Sequence, residues 1–545
     1  MNCRNLYAYV SRILPVCLLL CLSSQASADE PGRLDRMIDE WFGWATSWFV
    51  NGIFMDVPVN DYPVKLVVIW LALAGLVMTL MFKFINLRAL GLAFRTLRGR
   101  YSHTDDPGEI SHFQALSAAV SGTVGLGNIA GVAIGIMIGG PGVAFWLFLS
   151  GFLGMATKFA ECTLGVKYRE IGSDGRIHGG AMYYLRKGFA ERGLGSLGAF
   201  LAGLFALFCI FASFGGGNVF QINQATAQLL NITGGEESYF AGRQWLFGLA
   251  VAVVTGLVII GGIKGIARVT ARLVPSMCLI YVASGIIVLI VNAEHIPGAI
   301  QMILSEAFNP RAAVTGGMLA AFVWGMRRAT FSNEAGIGSA PIAHAAAKTR
   351  MPASEGVVAL LEPFLDTVIV CTMTSLVLVT SMQFASPDGG EFTIHQQEFI
   401  LGEASGGTAF GIGLTSQAFQ TVHEGFKYIL FACVLLFAFS TLITWSYYGL
   451  QAWQYLFGRG KKTALAYKLI FCTVIVAGSA ASMDKAIDFS DASLFAMSIP
   501  NLIGVYVLIP VIRAELAKFV NFTRRVDSGM SIRDAAAEAE REQTK

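Results

Sequence analysis

Charge is scarce in this chain. Of 545 residues only 14% are Asp, Glu, Lys or Arg, and 54% are hydrophobic; an ordinary soluble protein carries about 25% charged residues. Paired cysteines are missing as well. Cys3, Cys17 and Cys21 lie in the first 28 residues, and Cys162, Cys209, Cys278, Cys371, Cys433 and Cys472 stand singly in apolar runs. With no Cys-x-x-Cys, neither a zinc site nor a disulfide framework is indicated. The seven histidines are dispersed. No Ser-His-Asp order, metal-spaced His/Cys group or phosphate loop falls within an apolar run, so a membrane-embedded enzyme lacks candidate groups. The net charge of +3 comes with no basic patch for nucleic acid.

What is present is apolar length. Runs of about 20 apolar residues recur from end to end, enough for a helix to cross a bilayer. Residues 1–28 read as a signal peptide: Arg4 and Arg12 precede the apolar run Ile13–Leu22, and Ala26-Ser-Ala28 fits a cleavage site. Residues 29–63, with Trp41, Trp44 and Trp48, suit an interfacial segment on the outer surface. Eleven helices follow, near 64–84, 113–138, 141–168, 197–230, 244–262, 270–292, 313–346, 354–381, 415–457, 464–482 and 492–516, with a charged cytoplasmic tail at 517–545. The fold class expected is an all-α polytopic membrane protein.

Charge placement orients these spans. Lys83, Arg88, Arg95, Arg98 and Arg100 occupy the loop after the first span. Lys167, Arg169, Arg176, Arg186, Lys187 and Arg192 occupy a later loop on the same side. The 382–414 loop holds Asp388, Glu391, Glu398 and Glu403 with no Lys or Arg. The positive-inside rule then puts the N-terminus outside and the C-terminus inside, in a bacterial cytoplasmic (inner) membrane.

Two spans are interrupted alike. Ala119-Val-Ser-Gly-Thr-Val-Gly-Leu-Gly-Asn-Ile-Ala-Gly131 and Phe331-Ser-Asn-Glu-Ala-Gly-Ile-Gly338 each carry Asn-x-x-Gly among further glycines. Glycine costs about 1 kcal/mol against alanine in a helix interior. In hydrocarbon, backbone freed by a break must be paired within the protein or line a cavity. Two such breaks at comparable places point to a transporter site, with half-helix N-termini for a carboxylate and loose carbonyls for Na⁺. Close packing of small residues is the competing reading. In the second break, Asn333 and Glu334 are candidate gating or coupling groups, because a carboxylate at such depth is costly. The other reading pairs Glu334 with Arg327 or Arg328 at the span end.

A third constellation is Phe437-Ala-Phe-Ser-Thr-Leu-Ile-Thr-Trp-Ser-Tyr-Tyr448. Ser440 and Thr441 put two hydroxyls within one turn of the Phe437 carbonyl, a sodium half-site, unless they back-bond to their own helix. Thr441 and Trp445 share a face. Asn218, Gln221 and Gln224 follow at three-residue spacing. Lys158 with Glu161, and Glu362 with Asp366, read as interhelical charges.

These motifs, with Gly139-Gly-Pro-Gly142 and Phe439-Ser-Thr-Leu-Ile-Thr-Trp-Ser-Tyr-Tyr-Gly449, resemble the alanine or glycine:cation symporter family, the bacterial sodium:alanine symporters, over about 64–516. The resemblance implies a LeuT-type 5+5 inverted-repeat fold. Residues 64–84 would be an extra N-terminal helix, 113–292 the first repeat and 313–516 the second. It implies sodium at the carbonyls of Ser121, Val124 and Phe437 and the hydroxyls of Ser440 and Thr441. It implies substrate beside Thr123, Gly125, Gly127, Asn128, Gln221, Trp324, Phe331, Thr441 and Trp445. Its activity would be sodium-coupled uptake of a small neutral amino acid such as alanine or glycine, with Na⁺ as the co-transported ion, the lipid bilayer as surroundings, and neither an organic cofactor nor an obligate protein partner. Leu126 departs from the commoner threonine of that glycine motif. Proton coupling to another small neutral amino acid is the alternative.

Overall fold

The computed structural model describes residues 32–59, 62–172, 175–260, 262–308, 317–384 and 411–541. The signal-peptide expectation, and residues 385–410 of the acidic loop, lie outside them. Helix α1 (Arg33–Ile53) precedes a short hairpin, β1 (Asp56–Val59) paired antiparallel with β2 (Tyr62–Lys65). Phe42 and Phe49 on α1 turn inward against Phe489, while Trp41, Trp44 and Trp48 are exposed. α1 therefore packs one face on the protein and turns its tryptophans away from it.

The helical core follows: α2 (Leu66–Met81), α3 (His112–Thr123), α4 (Ala130–Gly139), α5 (Val143–Lys167), α6 (Gly195–Phe214), α7 (Phe220–Ile232), α8 (Gln244–Ile259) and α9 (Gly262–Val291). Then come α10 (Gly317–Asn333), α11 (Pro341–His344), α12 (Pro352–Ala359), α13 (Thr372–Phe384), α14 (Phe426–Phe457), α15 (Lys461–Ala480), α16 (Met483–Val507) and α17 (Ile509–Asp527). Ser111 caps α3 reciprocally with Gln114, fixing where the first broken span begins.

Among the described residues six helices are long and apolar enough to cross a membrane, or eight if each bent pair is one span. The other three of the eleven expected spans have physical reasons to differ. α2 and α8 are apolar but have 16 residues each, and α10 stops at Asn333. Two long expectations divide further. The 415–457 stretch is a short helix, Ile412–Gln420, followed by α14. The 492–516 stretch is α16, beginning at Met483, and then a 64° bend into α17, where Pro510 occupies the first turn. Within the 517–545 tail Ile532–Arg541 is a helix, and Arg533 bonds Asp105 at 2.7 Å.

Packing centres on the broken spans. α3 lies against α9 and α14, and α4 runs along α10. α5 backs both α10 and α12, while α6 lies between α14 and α16. Between α5 and α12 sits a buried ionic chain. Lys158 Nζ is 2.9 Å from Glu362 Oε1 with both side chains fully buried, so Lys158 meets Glu362 rather than its helix neighbour Glu161, which bonds Asn501. Glu355 bridges His112 of α3 and His344 of α11. Removing one partner of a buried pair costs about 3–5 kcal/mol, whereas removing both costs less. Lys158→Met is therefore expected to lower the thermal midpoint in detergent clearly, and Lys158→Met with Glu362→Gln to recover part of the loss.

Candidate functional site

α3 ends at Thr123, just before Gly125 and Gly127, each of which weakens a helix by about 1 kcal/mol, and the chain turns 57° through a 3₁₀ turn, Leu126–Asn128, into α4. Side chains satisfy the freed amides. Gly125 N donates to Asn128 Oδ1 at 2.9 Å, and Leu126 N donates to Gln221 Oε1 at 2.9 Å. Gln221 Nε2 in turn donates to Gly216 O, within a π-turn over Gly215–Val219 that interrupts α6 and α7. Such π-turns recur at functional sites. Asn128 Nδ2 donates to Asp366 Oδ1 at 2.6 Å.

The second break runs from Asn333 to α11. Glu334 adopts φ +55°, followed by Gly336 at +89° and Gly338 at +85°. A left-handed conformation costs a non-glycine residue about 1–2 kcal/mol, so the surroundings must hold Glu334 in place. They do: its carboxylate accepts from Trp445 Nε1 at 3.0 Å and from the Ser339 hydroxyl. Asn333 Oδ1 accepts from Ala335 N at 2.9 Å, and its Nδ2 donates to Thr367 Oγ1 at 3.1 Å. Arg327 and Arg328 bond Asp491 instead of Glu334.

Where α3 meets α14, oxygens converge. Ser121 O accepts from Thr441 Oγ1 at 3.2 Å and from Ser440 Oγ at 3.5 Å. Ser440 Oγ also reaches Phe437 O at 2.9 Å, and Ser121 Oγ donates to Ser440 O at 2.8 Å. At Val124 the helix ends with ψ 87°, and Asn128 N, its helical partner four residues on, bonds Gly125 O. Hydroxyl and carbonyl oxygens of this kind fit a small hard cation. A methyl group at Gly125 would stand 2.5 Å from Thr441 Oγ1 and 2.9 Å from Gln221 Oε1, so the first break directly adjoins this cluster.

The candidate substrate residues divide. Gly125 has both Gln221 and Thr441 as neighbours. Gly127 faces the Phe331 ring, which packs edge-on against Phe220 at 4.6 Å. Trp445 is buried over Gly217 and tied to Glu334. Thr123 Oγ1 back-bonds to Ala119 and Val120 carbonyls at 3.4 and 3.3 Å. Asn128 is turned to Asp366. Trp324 stands apart, 4.3 Å from the Arg327 guanidinium. The residue that sequence reasoning undervalued is Asp366. It is fully buried and accepts from Asn128, Ser332 and Thr367, so it joins both breaks. Its place in a span was legible; its partners were not.

Comparison with known proteins adds the following. The profile of the sodium:alanine symporter family matches residues 51–531. The sodium/alanine symporter AgcS of Methanococcus maripaludis is 38% identical over 445 residues, covering 82% of this chain and 92% of that protein. The probable sodium/glutamine symporter GlnT of Bacillus subtilis is 32% identical, covering 85% and 89%. Among solved structures, MhsT in complex with L-phenylalanine covers 79% of this chain and 92% of its own at 17% identity, with a TM-score of 0.46.

Space at Gly125 is testable. Gly125→Ala is expected to cut solute transport by at least about tenfold through overpacking against Thr441 and Gln221. Gly203→Ala on α6, where nothing lies within 4 Å, is expected to leave transport and thermal stability unchanged or slightly better.

Proposed function

This chain belongs to the sodium:alanine symporter family, and from that premise we propose that it imports small neutral amino acids, alanine or glycine, together with Na⁺. The family consists of transporters rather than enzymes, and the chain is a multi-pass membrane protein of cation-coupled amino-acid symport. The finer reading rests chiefly on one observation. The carbonyls of Ser121 and Phe437 and the hydroxyls of Ser440 and Thr441 converge on the broken helix at Gly125. In this reading Na⁺ binds those oxygens, with Val124 O added, and clamps α3 to α14. The clamp orders the first break, and the amino acid then seats between Gly125, Gln221, Thr441, Phe331 and Trp445, whose rings limit it to a small side chain. Residues 113–292 and 313–516 act as two inverted repeats that rock about this site, and Asn333 and Glu334 couple the second break to closure. Each Na⁺ entering down the membrane potential supplies about 2.3 kcal/mol per 100 mV. The run of basic loops supports an inner-membrane orientation with the N-terminus outside.

A second reading is favoured by Asp366, whose buried carboxylate accepts hydrogen bonds from Asn128, Ser332 and Thr367, all neutral donors. A carboxylate so placed can take up a proton, and coupling would then run on H⁺. Labelled alanine counterflow in proteoliposomes separates the two. Sodium coupling predicts exchange that fails in choline buffer whatever the pH gradient; proton coupling predicts exchange that persists there. Under sodium coupling, Ser440→Ala or Thr441→Ala raises the Na⁺ concentration for half-activation by about tenfold, the loss of one oxygen ligand to a charge. Unchanged activation in both variants rejects the cation site.

A further inference from the structure

A lysine stands inside the apolar helix α15 with no acid beside it. Lys468 follows Lys461, the first residue of α15, by seven positions, about 10 Å along a helix that rises 1.5 Å per residue. Leu465 and Leu469 flank it, and both are exposed on the outside of the bundle. Among the described residues no carboxylate forms an ion pair with Lys468. A charge at membrane depth is costly, and lysines near a span end commonly stretch along the helix to reach water. Lys468 does something else: it is half-buried and lines a cavity.

That cavity, about 390 Å³, lies where the ends of α8, α9, α14 and α15 meet. Arg176, His178, Lys264 and Lys468 look into it, and Glu109 is the one carboxylate among its described lining residues. Glu109 is already engaged. Its Oε1 accepts from Ile177 N at 2.7 Å, and its Oε2 is 3.7 Å from Lys264 Nζ. α14 adds the amides of Gln451 and Gln454. Gln451 Oε1 meets His178 Nδ1 at 3.2 Å, and among the described residues neither amide nitrogen makes a hydrogen bond. Cationic and amide donors thus face one space from several segments, as oxygens of a phosphate require. The border is apolar. Ile260, in the turn between α8 and α9, lines the cavity and is exposed, and Leu465 and Leu469 continue that surface along α15. No lining residue belongs to either break, so the cavity is separate from the site above.

We propose that this cavity holds the phosphate headgroup of an anionic phospholipid, whose acyl chains lie along the exposed leucines of α15. Basic pockets between spans recognise such headgroups on the side of the membrane where the basic loops gather. Arg176 lies in one of those loops, and Lys461 and Lys462 open α15 at the same end. Lys468 supplies the deepest cation, Lys264 and Arg176 the outer ones, and Gln451 and Gln454 neutral donors. A soluble anion would use the donors and leave the apolar border without a role; a lipid uses both.

The test measures binding to delipidated protein in detergent by native mass spectrometry, with dioleoylphosphatidylglycerol, dioleoylphosphatidylcholine and soluble glycerol phosphate as probes. Wild-type protein is expected to bind phosphatidylglycerol at least about fivefold more tightly than phosphatidylcholine, the scale of one lysine charge at a membrane surface. Glycerol phosphate is expected to bind far more weakly than either lipid. Lys468→Gln is expected to bring the preference down to about twofold or less, and Lys468→Arg to keep it. Lys461→Gln, at an exposed lysine of the same helix that does not line the cavity, is expected to keep it too. Lys264→Gln on α9 is expected to weaken the preference as well, and it decides the matter if Lys468→Gln does not fold. A wild type without preference overturns the proposal, as does a preference that survives Lys468→Gln and Lys264→Gln. Equal losses in Lys461→Gln and Lys468→Gln overturn it in favour of diffuse surface charge. Glycerol phosphate that binds as tightly as phosphatidylglycerol overturns it in favour of a soluble-anion site.

Discussion

Backbone polar groups released inside a hydrocarbon slab have no water to turn to, and the arrangement of this protein follows from how two sets of them are satisfied. At Gly125–Asn128 the partners come from Asn128 itself and from Gln221 on α7. At Asn333–Gly338 they come from Asn333, while Trp445 and Ser339 hold the Glu334 carboxylate beside it. Each break is therefore held in part by its own asparagine and in part by a side chain from another helix, Gln221 at the first and Trp445 at the second. A shift of α7 or α14 changes the hydrogen bonding of a break directly, which is the physical basis for coupling helix movement to solute occupancy.

The buried charges extend the same logic. Lys158–Glu362, His112–Glu355–His344 and the Arg327–Arg328–Asp491 cluster each cross between helices that carry or back the breaks. Buried ion pairs contribute little net stability against an apolar alternative. They do restrict which helix faces can meet, since a slip strands a charge. Asp366 sits where the two breaks approach, bonded to Asn128 on one side and Ser332 on the other. One side chain thereby senses both.

The sequence made the breaks legible because glycine clusters are anomalous in an apolar span, and the Ser440–Thr441 pair legible because two adjacent hydroxyls are anomalous there too. Family resemblance then assigned the roles. Pairing across long sequence separations was hidden. Nothing local to Lys158 indicates Glu362 rather than Glu161, and nothing local to Glu334 indicates Trp445 rather than Arg327. Asn128 read as a ligand group, and no local pattern indicates that its amide also meets Asp366 at 2.6 Å. Span ends were blurred for a related reason. Apolarity continues through the bend at Leu508, so hydropathy alone could not divide that stretch; the polar turn Gln420-Thr-Val-His-Glu-Gly425 did mark the division before Phe426.

Hydrogen–deuterium exchange over residues 119–131 and 331–338 tests the central claim most directly, with the protein in choline, in Na⁺ alone, in alanine alone and in both. If the breaks exist to grip a solute and its ion, their amides exchange measurably in choline and are protected most strongly when Na⁺ and alanine are present together. Equal protection of both segments under all four conditions would contradict the account.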